Sequence, residues 1–421
     1  MASPEQRKVH LALKSIMFTL IFSMGCIHPL ISLYMQNTLH FDAMLTSIVL
    51  AGSTIAAITT PLVAAFIADR LVSSRMLLVI CNLLVAAANI GLVFSHDFAT
   101  FFVAWIVMAV AQGPVSGLAN TLAFHHLEDG VRQYGPVRLW GTVGWIAAGW
   151  ILSLVWMIVP LVFPGADPES FKPLMFVLAL IGSTGTALMS LTLPRGGVRP
   201  PESRGLRALV PVEALRAVKS RLFIVLMVMY MGNGIMDRFF FFGAAPYLSV
   251  AGFPDSAVLA VMSVGQLVEL PILAILGRYL TRQGFRNGLL IGLLLQVLRP
   301  LLLAIPGPVS AVFGLSLHGV LVGFVQLSII MQANEQCTVA SRSGVNQIFG
   351  FMYGGVANLI GAMGAGVMMN AAQAFLPGGL VAGQPAWSAV WLGNAAIGLA
   401  LVAVFFVLYP RTGQSRTRAA S

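Results

Sequence analysis

Long apolar segments recur along this chain from one end to the other. A helix needs about 20 mostly apolar residues to cross the hydrocarbon core of a bilayer. Twelve segments meet this requirement, at residues 11–35, 44–68, 76–95, 99–124, 134–163, 173–193, 222–249, 255–280, 286–305, 309–333, 344–373 and 386–409. Only 9% of the residues are charged, whereas soluble domains carry about 25%, so lipid must solvate much of the surface. The sequence therefore predicts an all-α polytopic membrane protein with twelve transmembrane helices.

Basic residues indicate how the predicted helices are oriented. Lysine and arginine lie before span 1 and after spans 2, 4, 6, 8, 10 and 12, whereas the opposite loops contain only Lys172. Because loops rich in these residues stay in the cytoplasm, we expect both termini to be cytoplasmic. The net charge of +10 then reflects topology and does not indicate a nucleic-acid partner. We expect a multi-pass protein of the bacterial inner membrane, surrounded by the lipid bilayer.

A polar, basic linker divides the chain near its middle. It covers residues 194–221 and separates an amino-terminal six-helix half, 1–193, from a carboxy-terminal half, 222–421, that ends in a short basic tail. Asp69, Arg70 and Arg75 follow span 2, and a similar basic turn with Arg278 and Arg282 follows span 8. Two such halves resemble the major facilitator superfamily, and the first turn is similar to its signature gating loop. Halves related in this way enclose a midplane site that opens alternately to each side.

Charged residues also occur inside the predicted spans. A charge at the bilayer centre costs on the order of 3 kcal/mol on insertion scales, so such residues face a partner or a water-filled cavity. They are therefore candidates for a functional site, and they comprise Arg138, Asp237, Arg238, Glu269 and Arg299. Arg299 is the exception, because it lies near the outer end of span 9, where a long side chain can extend to the interface.

Glu269 is the leading candidate for carrying a proton. It lies midway along span 8, and Gln266, three residues earlier, projects from the same helix face. Burial disfavours the charged form of a carboxyl group and moves its pKa towards neutrality, which suits a group that binds and releases a proton during transport. The alternative is a static carboxylate that pairs with an arginine across the two halves.

A second candidate face lies on span 5. Arg138, Thr142 and Trp145 follow helical spacing, which places a cation, a hydroxyl group and an aromatic ring on one stripe. Such a stripe suits a sugar or base that is held by hydrogen bonds and stacking. The alternative is that Arg138 is a structural ion-pair partner and Trp145 an ordinary packed aromatic residue.

Other polar residues in the spans are more ambiguous. Asp237 and Arg238 are adjacent on span 7 and do not face each other, so each needs another partner. Asp237 is either a second protonation site or a counter-ion. Asn120 in span 4 either binds substrate or bonds to a neighbouring helix, and the latter is what we expect of His28 and His318. The phenylalanine run 239–242 faces either lipid or the core.

Several classes of protein are disfavoured by what the sequence lacks. It has no phosphate-binding loop, no metal-ligand cluster and no nucleophile motif. We therefore expect neither an enzyme nor an ATP-driven pump, and neither a cofactor nor a metal. The proton gradient is the expected energy source. A transporter-like sensor that moves nothing is a further alternative.

Three motifs resemble those of the bacterial nucleoside:proton symporters. They are Arg138-Leu139-Trp140-Gly141-Thr142-Val143-Gly144 in span 5, Gly117-Leu118-Ala119-Asn120-Thr121 in span 4 and Gln266-Leu267-Val268-Glu269 in span 8. The resemblance extends loosely over the whole chain, and related forms occur in oligosaccharide:proton symporters and phenylpropionate permeases. It implies that Arg138, Thr142, Gln266 and Glu269 contact the substrate and that Trp145 replaces a stacking phenylalanine.

Two stretches depart from the pattern of that family. Span 7 has Asp237-Arg238 where the family places polar amides, and span 10 has no acid where the family has one. The sequence therefore predicts a proton-coupled importer of nucleosides or a similar small polar solute, acting as a monomer. An oligosaccharide or aromatic-acid symporter of the same fold remains the alternative, followed by an efflux pump.

Overall fold

A computed structural model describes most of the chain. It covers residues 4–54, 60, 72–127, 130–165, 168–194, 219–337, 345–346, 348–375 and 387–410. In these residues every regular element is helical, and ten helical stretches are long and apolar enough to cross a membrane. They are Pro4–Thr38, Ser74–Val93, Phe98–Ala123, Pro136–Val162, Leu174–Leu191, Arg221–Val250, Asp255–Ala304, Pro308–Glu335, Ile348–Ala374 and Trp387–Leu408.

The stretch Asp255–Ala304 contains two of the predicted spans. Gly284 has φ 79° and ψ 160°, a conformation outside the helical region that favours glycine, and it ends one helix and begins the next. A shorter apolar helix, Ala43–Thr54, is the described beginning of predicted span 2. The remainder of that span, together with Asp69 and Arg70, lies outside the described residues. The helical class is confirmed, whereas the full count of twelve spans stays a prediction.

We label the helices in chain order: α1 Pro4–Thr38, α2 Ala43–Thr54, α3 Ser74–Val93, α4 Phe98–Ala123, α5 Gly130–Val162, α6 Leu174–Leu191, α7 Arg221–Val250, α8 255–283, α9 285–304, α10 Pro308–Glu335, α11 Ile348–Ala374 and α12 Trp387–Leu408. Three of them contain a wider π-helical turn. These turns are Tyr34–Thr38 in α1, Val322–Leu327 in α10 and Met352–Ala357 in α11.

Capping side chains fix where several helices begin. Ser73 and Ser220 accept hydrogen bonds from backbone amides in the first turns of α3 and α7. Asp97 caps α4 by accepting from the amides of Ala99 and Thr100 and from the Thr100 hydroxyl group. The hydroxyl hydrogen bond, followed by those from the backbone, lowers the pKa of Asp97.

Glycines allow the helices of each half to pack closely. In the amino-terminal half, Gly144 of α5 lies against the main chain of Phe18 in α1, so no side chain fits between them. In the carboxy-terminal half, Gly319 of α10 lies against the main chain of Gly265 and Glu269 in α8. The phenylalanine run in α7 belongs to the core, because Phe239, Phe240 and Phe242 are buried.

The two halves meet at one end of the bundle, where α1, α5 and α7 finish and α8 begins. We call it the far end, and the opposite end, where α1, α5 and α7 begin, the near end. Four hydrogen bonds join described residues of the two halves, and each lies towards the far end. They link Ser32 to the Phe241 carbonyl (3.3 Å), Trp150 to Ser263 (3.0 Å), the Ala260 amide to Ser153 (3.2 Å) and Lys172 to Asp255 (2.7 Å).

Candidate functional site

The predicted stripe on α5 lies along one side of the interface between the halves. Thr142 and Trp145 are half-buried, and the Arg138 guanidinium is exposed and lies against Gly141 of its own helix. A Cβ at position 141 would collide with Nη1 of Arg138, so glycine is needed for this side-chain position. Because Thr142 and Trp145 are half-buried, the hydroxyl group and the aromatic ring point into the protein. They lie one and two helical turns after Arg138.

The opposite side of the interface is supplied by α8. Gln266 and Glu269 are both half-buried. Arg138 lies close enough to Glu269 for the two charges to attract each other across the halves. The Oε1 atom of Gln266 is buried and has no hydrogen-bond donor in the described part of the chain. A buried acceptor without a partner is costly, so this oxygen is suited to accept from a ligand.

A narrow gap separates the two sides at the level of Trp145 and Gln266. It is lined from the amino-terminal half by Gly25, Pro29, Trp145 and Gly149, and from the carboxy-terminal half by Phe240, Phe241, Leu259, Met262, Ser263, Gln266 and His318. Its volume of about 10 Å³ is close to the minimum for one water molecule. The halves are therefore nearly closed at this level, towards the far end.

Asp237 belongs to a separate, buried network. Its Oδ1 atom accepts from Nη1 of Arg299 at 3.1 Å. Its Oδ2 atom accepts from the hydroxyl of Tyr353 at 2.7 Å, the amide of Gln326 at 2.8 Å and the amide of Asn233 at 3.2 Å. Four helices, α7, α9, α10 and α11, thus converge on one carboxylate.

The expectation that Arg299 extends to the membrane interface is wrong. Its side chain is completely buried, and it contacts three groups: Asp237, the Nδ1 atom of His318 at 3.2 Å and the ring of Phe240 at 4.6 Å. The face of α9 that carries Arg299 points into the bundle, where the carboxylate offsets the burial of the cation. Since Nη1 of Arg299 donates towards it, His318 is held as an acceptor at Nδ1.

Arg238, the neighbour of Asp237 in the chain, has no comparable partner. Among the described residues it forms no hydrogen bond and no ion pair, and its Nε atom is buried. Its charge acts on the ring of His28 in α1, across the interface. His28 itself lies 3.2 Å from the Oε1 atom of Gln112. Asp237 and Arg238 thus have different surroundings, as their adjacent positions on a helix predict.

The remaining predicted residues lie apart from the gap. Asn120 accepts a hydrogen bond of 2.8 Å from the Tyr134 hydroxyl, which joins α4 to α5. Arg75 donates to the carbonyls of Leu191 and Leu193 at 3.3 and 2.5 Å, and so ties the start of α3 to the end of α6.

Sequence reasoning missed two elements. Tyr353 was not singled out, although a lone tyrosine in an apolar span is an unusual donor. Asp255, the first residue of predicted span 8, is the second, since its carboxylate pairs with Lys172, which is 4% exposed, and accepts from Ser249 at 2.6 Å. The sequence signal for this ion pair is Lys172, because it is the single lysine or arginine in the loops opposite the basic ones. The described residues contain no cluster that could hold a metal ion.

Comparison with known proteins agrees with this architecture. Residues 7–414 match the model of the nucleoside H⁺ symporter family. The chain is 23% identical to the nucleoside permease NupG of Escherichia coli over 404 residues, which cover 89% of this chain and 90% of that protein. It is 25% identical to the xanthosine permease of the same organism over 417 residues, which cover 94% and 95%.

Solved structures show the same fold. The crystal structure of the nucleoside transporter NupG aligns with a TM-score of 0.81 at 22% identity and covers 96% of this chain and 100% of that one. A bacterial homologue of the human lysosomal transporter Spinster, in an inward-facing form, aligns with a TM-score of 0.72 at 15% identity over 97% and 96%. The predicted major facilitator fold is confirmed. The chain belongs to the nucleoside H⁺ symporter family and is a membrane transporter, not an enzyme.

Proposed function

We propose that this transporter imports nucleosides together with protons by alternating access. The family and the nucleoside and xanthosine permeases among its relatives support this substrate class. The single observation that carries the mechanism is the position of Glu269. Its carboxylate lies within electrostatic reach of the Arg138 guanidinium across the interface of the halves, one helical turn from Gln266, which lines the gap with Trp145. Acid, cation, aromatic ring and amide are thus collected where the halves separate.

The substrate would contact both halves at this level. Trp145 offers its aromatic face to the base, and Gln266 offers a buried oxygen to a donor on the substrate. Arg138 and Thr142 supply donors from the amino-terminal half, and Asn120 lies further along α4. A nucleoside has both an aromatic face and several hydroxyl and amide groups, so it matches this combination better than a sugar, which lacks the aromatic base.

Glu269 is the leading proton carrier in this scheme. When it is charged, Arg138 attracts it and the two halves are drawn together at this level. A proton on the carboxyl group removes that attraction and leaves the guanidinium available to the substrate. Proton binding and substrate binding are then linked through one cation. Asp237 is a second protonation site in this proposal, and the proton gradient is the energy source.

The halves 1–193 and 222–421, joined by the linker 194–221, would move against each other. Asp69, Arg70 and Arg75 would act as the gating loop. The four hydrogen bonds between the halves lie towards the far end, and we take this arrangement to correspond to a site that faces the cytoplasm. This setting is the bacterial inner membrane, with both termini cytoplasmic and the protein acting as a monomer.

Uptake of radiolabelled uridine and adenosine into cells that express the protein tests the function. We expect uptake that collapses when a protonophore removes the gradient. Glu269→Gln, which removes the titrating group but keeps the shape, should abolish proton-driven accumulation. Glu335→Gln is the matched control, because Glu335 is exposed at the end of α10 and should transport normally.

Two results would contradict the proposal. The substrate assignment fails if well-expressed protein takes up none of uridine, adenosine and inosine. The role of Glu269 fails if Glu269→Gln still accumulates nucleoside against a gradient. Exchange of labelled for unlabelled nucleoside in Glu269→Gln separates a loss of substrate binding from a loss of proton coupling, because exchange needs substrate binding but no net proton movement.

A further inference from the structure

Arg238 is a cation in the middle of the bundle that the charge of Asp237 attracts but does not contact. It forms no hydrogen bond or ion pair with them, and its Nε atom is buried without an acceptor. The nearest carboxylate, that of Asp237, is bound by Arg299 and three neutral donors. Its two oxygens are therefore already occupied, and Asp237 leaves the hydrogen-bonding capacity of Arg238 unused.

The position of Arg238 places it beside the proposed substrate. Arg238 and Phe241 are three residues apart on α7 and so share a helix face. Phe241 lines the gap together with Trp145 and Gln266. Arg238 lies about one turn from Phe241 towards the near end, and its charge acts on His28 in the other half.

The Nε atom of Arg238 is energetically unfavourable without an acceptor, because it has lost water without gaining a partner. Arg299, by contrast, forms an ion pair with the carboxylate of Asp237. An acceptor on the transported molecule would supply Arg238 with a partner. Arg238 is thus suited to bind a ligand rather than to hold the fold together.

We propose that Arg238 determines specificity for the nucleobase and selects 6-oxopurine nucleosides over adenosine. This inference rests on the proposed function and deepens it. A guanidinium presents two parallel N–H donors, and the O6 and N7 atoms of a 6-oxopurine form a matching pair of acceptors. Adenosine carries an amino group in place of O6, so two donors would oppose each other.

The rest of the site is consistent with the same edge of the base. A 6-oxopurine carries a hydrogen on N1, next to O6, whereas N1 of adenosine is an acceptor. The buried Oε1 atom of Gln266 needs a donor and would accept this hydrogen. Trp145 would stack on the ring. Donor and acceptor requirements on the protein thus both favour inosine or guanosine.

Initial rates of uptake of radiolabelled inosine and adenosine test the proposal. For the unmodified protein we expect kcat/KM for inosine to exceed that for adenosine by roughly tenfold or more, the range of a bidentate arginine contact. In Arg238→Gln the ratio should fall to about one through loss of inosine uptake. Arg238→Lys should also lower the ratio, because it keeps the charge but not the parallel donors.

Arg7→Gln is the matched control, since Arg7 is exposed at the start of α1 and should keep the original ratio. An unmodified protein that takes up adenosine as well as inosine would overturn the specificity and leave the proposed function intact. An unaltered ratio in either Arg238 variant would do the same. Uptake of neither inosine nor adenosine would overturn the specificity, and a lack of uridine uptake as well would overturn both proposals. Because the ratio of the unmodified protein is decisive by itself, a variant that fails to fold does not remove the test.

Discussion

Replacing Arg299 with methionine should destabilise the carboxy-terminal half measurably. The guanidinium is fully buried and donates to Asp237 at 3.1 Å. Breaking a buried ion pair from one side costs about 3–5 kcal/mol. We expect about 3 kcal/mol for Arg299→Met, the lower end of that range, because Tyr353, Gln326 and Asn233 still donate to the carboxylate that remains.

The opposite change should cost more. Asp237→Asn removes the negative charge and leaves the buried cation with neutral partners, such as the Nδ1 atom of His318 and the ring of Phe240, so we expect about 5 kcal/mol. The double variant Asp237→Asn/Arg299→Met contains neither charge and should be more stable than Asp237→Asn alone. This order of stabilities follows from the unequal number of other partners that the two charges have.

Thermal unfolding of purified protein in detergent measures the effect. For a chain of 421 residues, the average unfolding entropy per residue converts 1 kcal/mol into a Tm shift of about 1 °C. We therefore expect Tm decreases of about 3 °C for Arg299→Met and about 5 °C for Asp237→Asn. Arg282→Met is the control, because Arg282 is exposed near the α8–α9 junction. Losses that simply add in the double variant would refute the reasoning.

Three further changes test other contacts. Gly319→Ala should abolish uptake, because its Cβ would collide with the main chain of α8, whereas Gly277→Ala on α8 meets nothing within 4 Å and should transport normally. Asp255→Asn should weaken closure of the far end by roughly 2 kcal/mol, which would lengthen the distances between spin labels placed on the two halves there. The charge exchange Lys172→Asp/Asp255→Lys should restore the original distances. Trp145→Phe should keep most of the substrate affinity, whereas Trp145→Ala should raise KM about tenfold if stacking contributes about 1–1.5 kcal/mol.

The sequence predicted the fold class well because crossing a membrane depends mainly on the length and polarity of a segment. It also predicted that Asp237 and Arg238 need different partners, since neighbouring residues on a helix point in different directions. It did not predict the depth of Arg299. The apparent nearness of that residue to a span end says nothing about which side of α9 faces Asp237, and only the packing of α7 against α9 determines this.

The candidate site was predictable to a different extent. Arg138, Gln266 and Glu269 were identified from intramembrane polarity and from family motifs, and the structure places Arg138 and Glu269 within electrostatic reach. The closure by Lys172 and Asp255 was not predictable, because the two residues are 83 positions apart and each lies near the end of a helix. Contacts between halves depend on the conformational state, and a single sequence does not encode one state alone.

The π-helical turns give the Asp237 network a mechanical property. Gln326 lies in the turn Val322–Leu327 of α10, and Tyr353 lies in the turn Met352–Ala357 of α11. Both side chains donate to the same carboxylate oxygen. A π-helical turn holds about one residue more than an α-helical turn. If such a turn changes to α geometry, the helix beyond it rotates by about 100°. Rotation of α10 or α11 at its π turn would therefore remove a donor from Asp237. In this way the geometry of either helix is coupled to the environment of that charge.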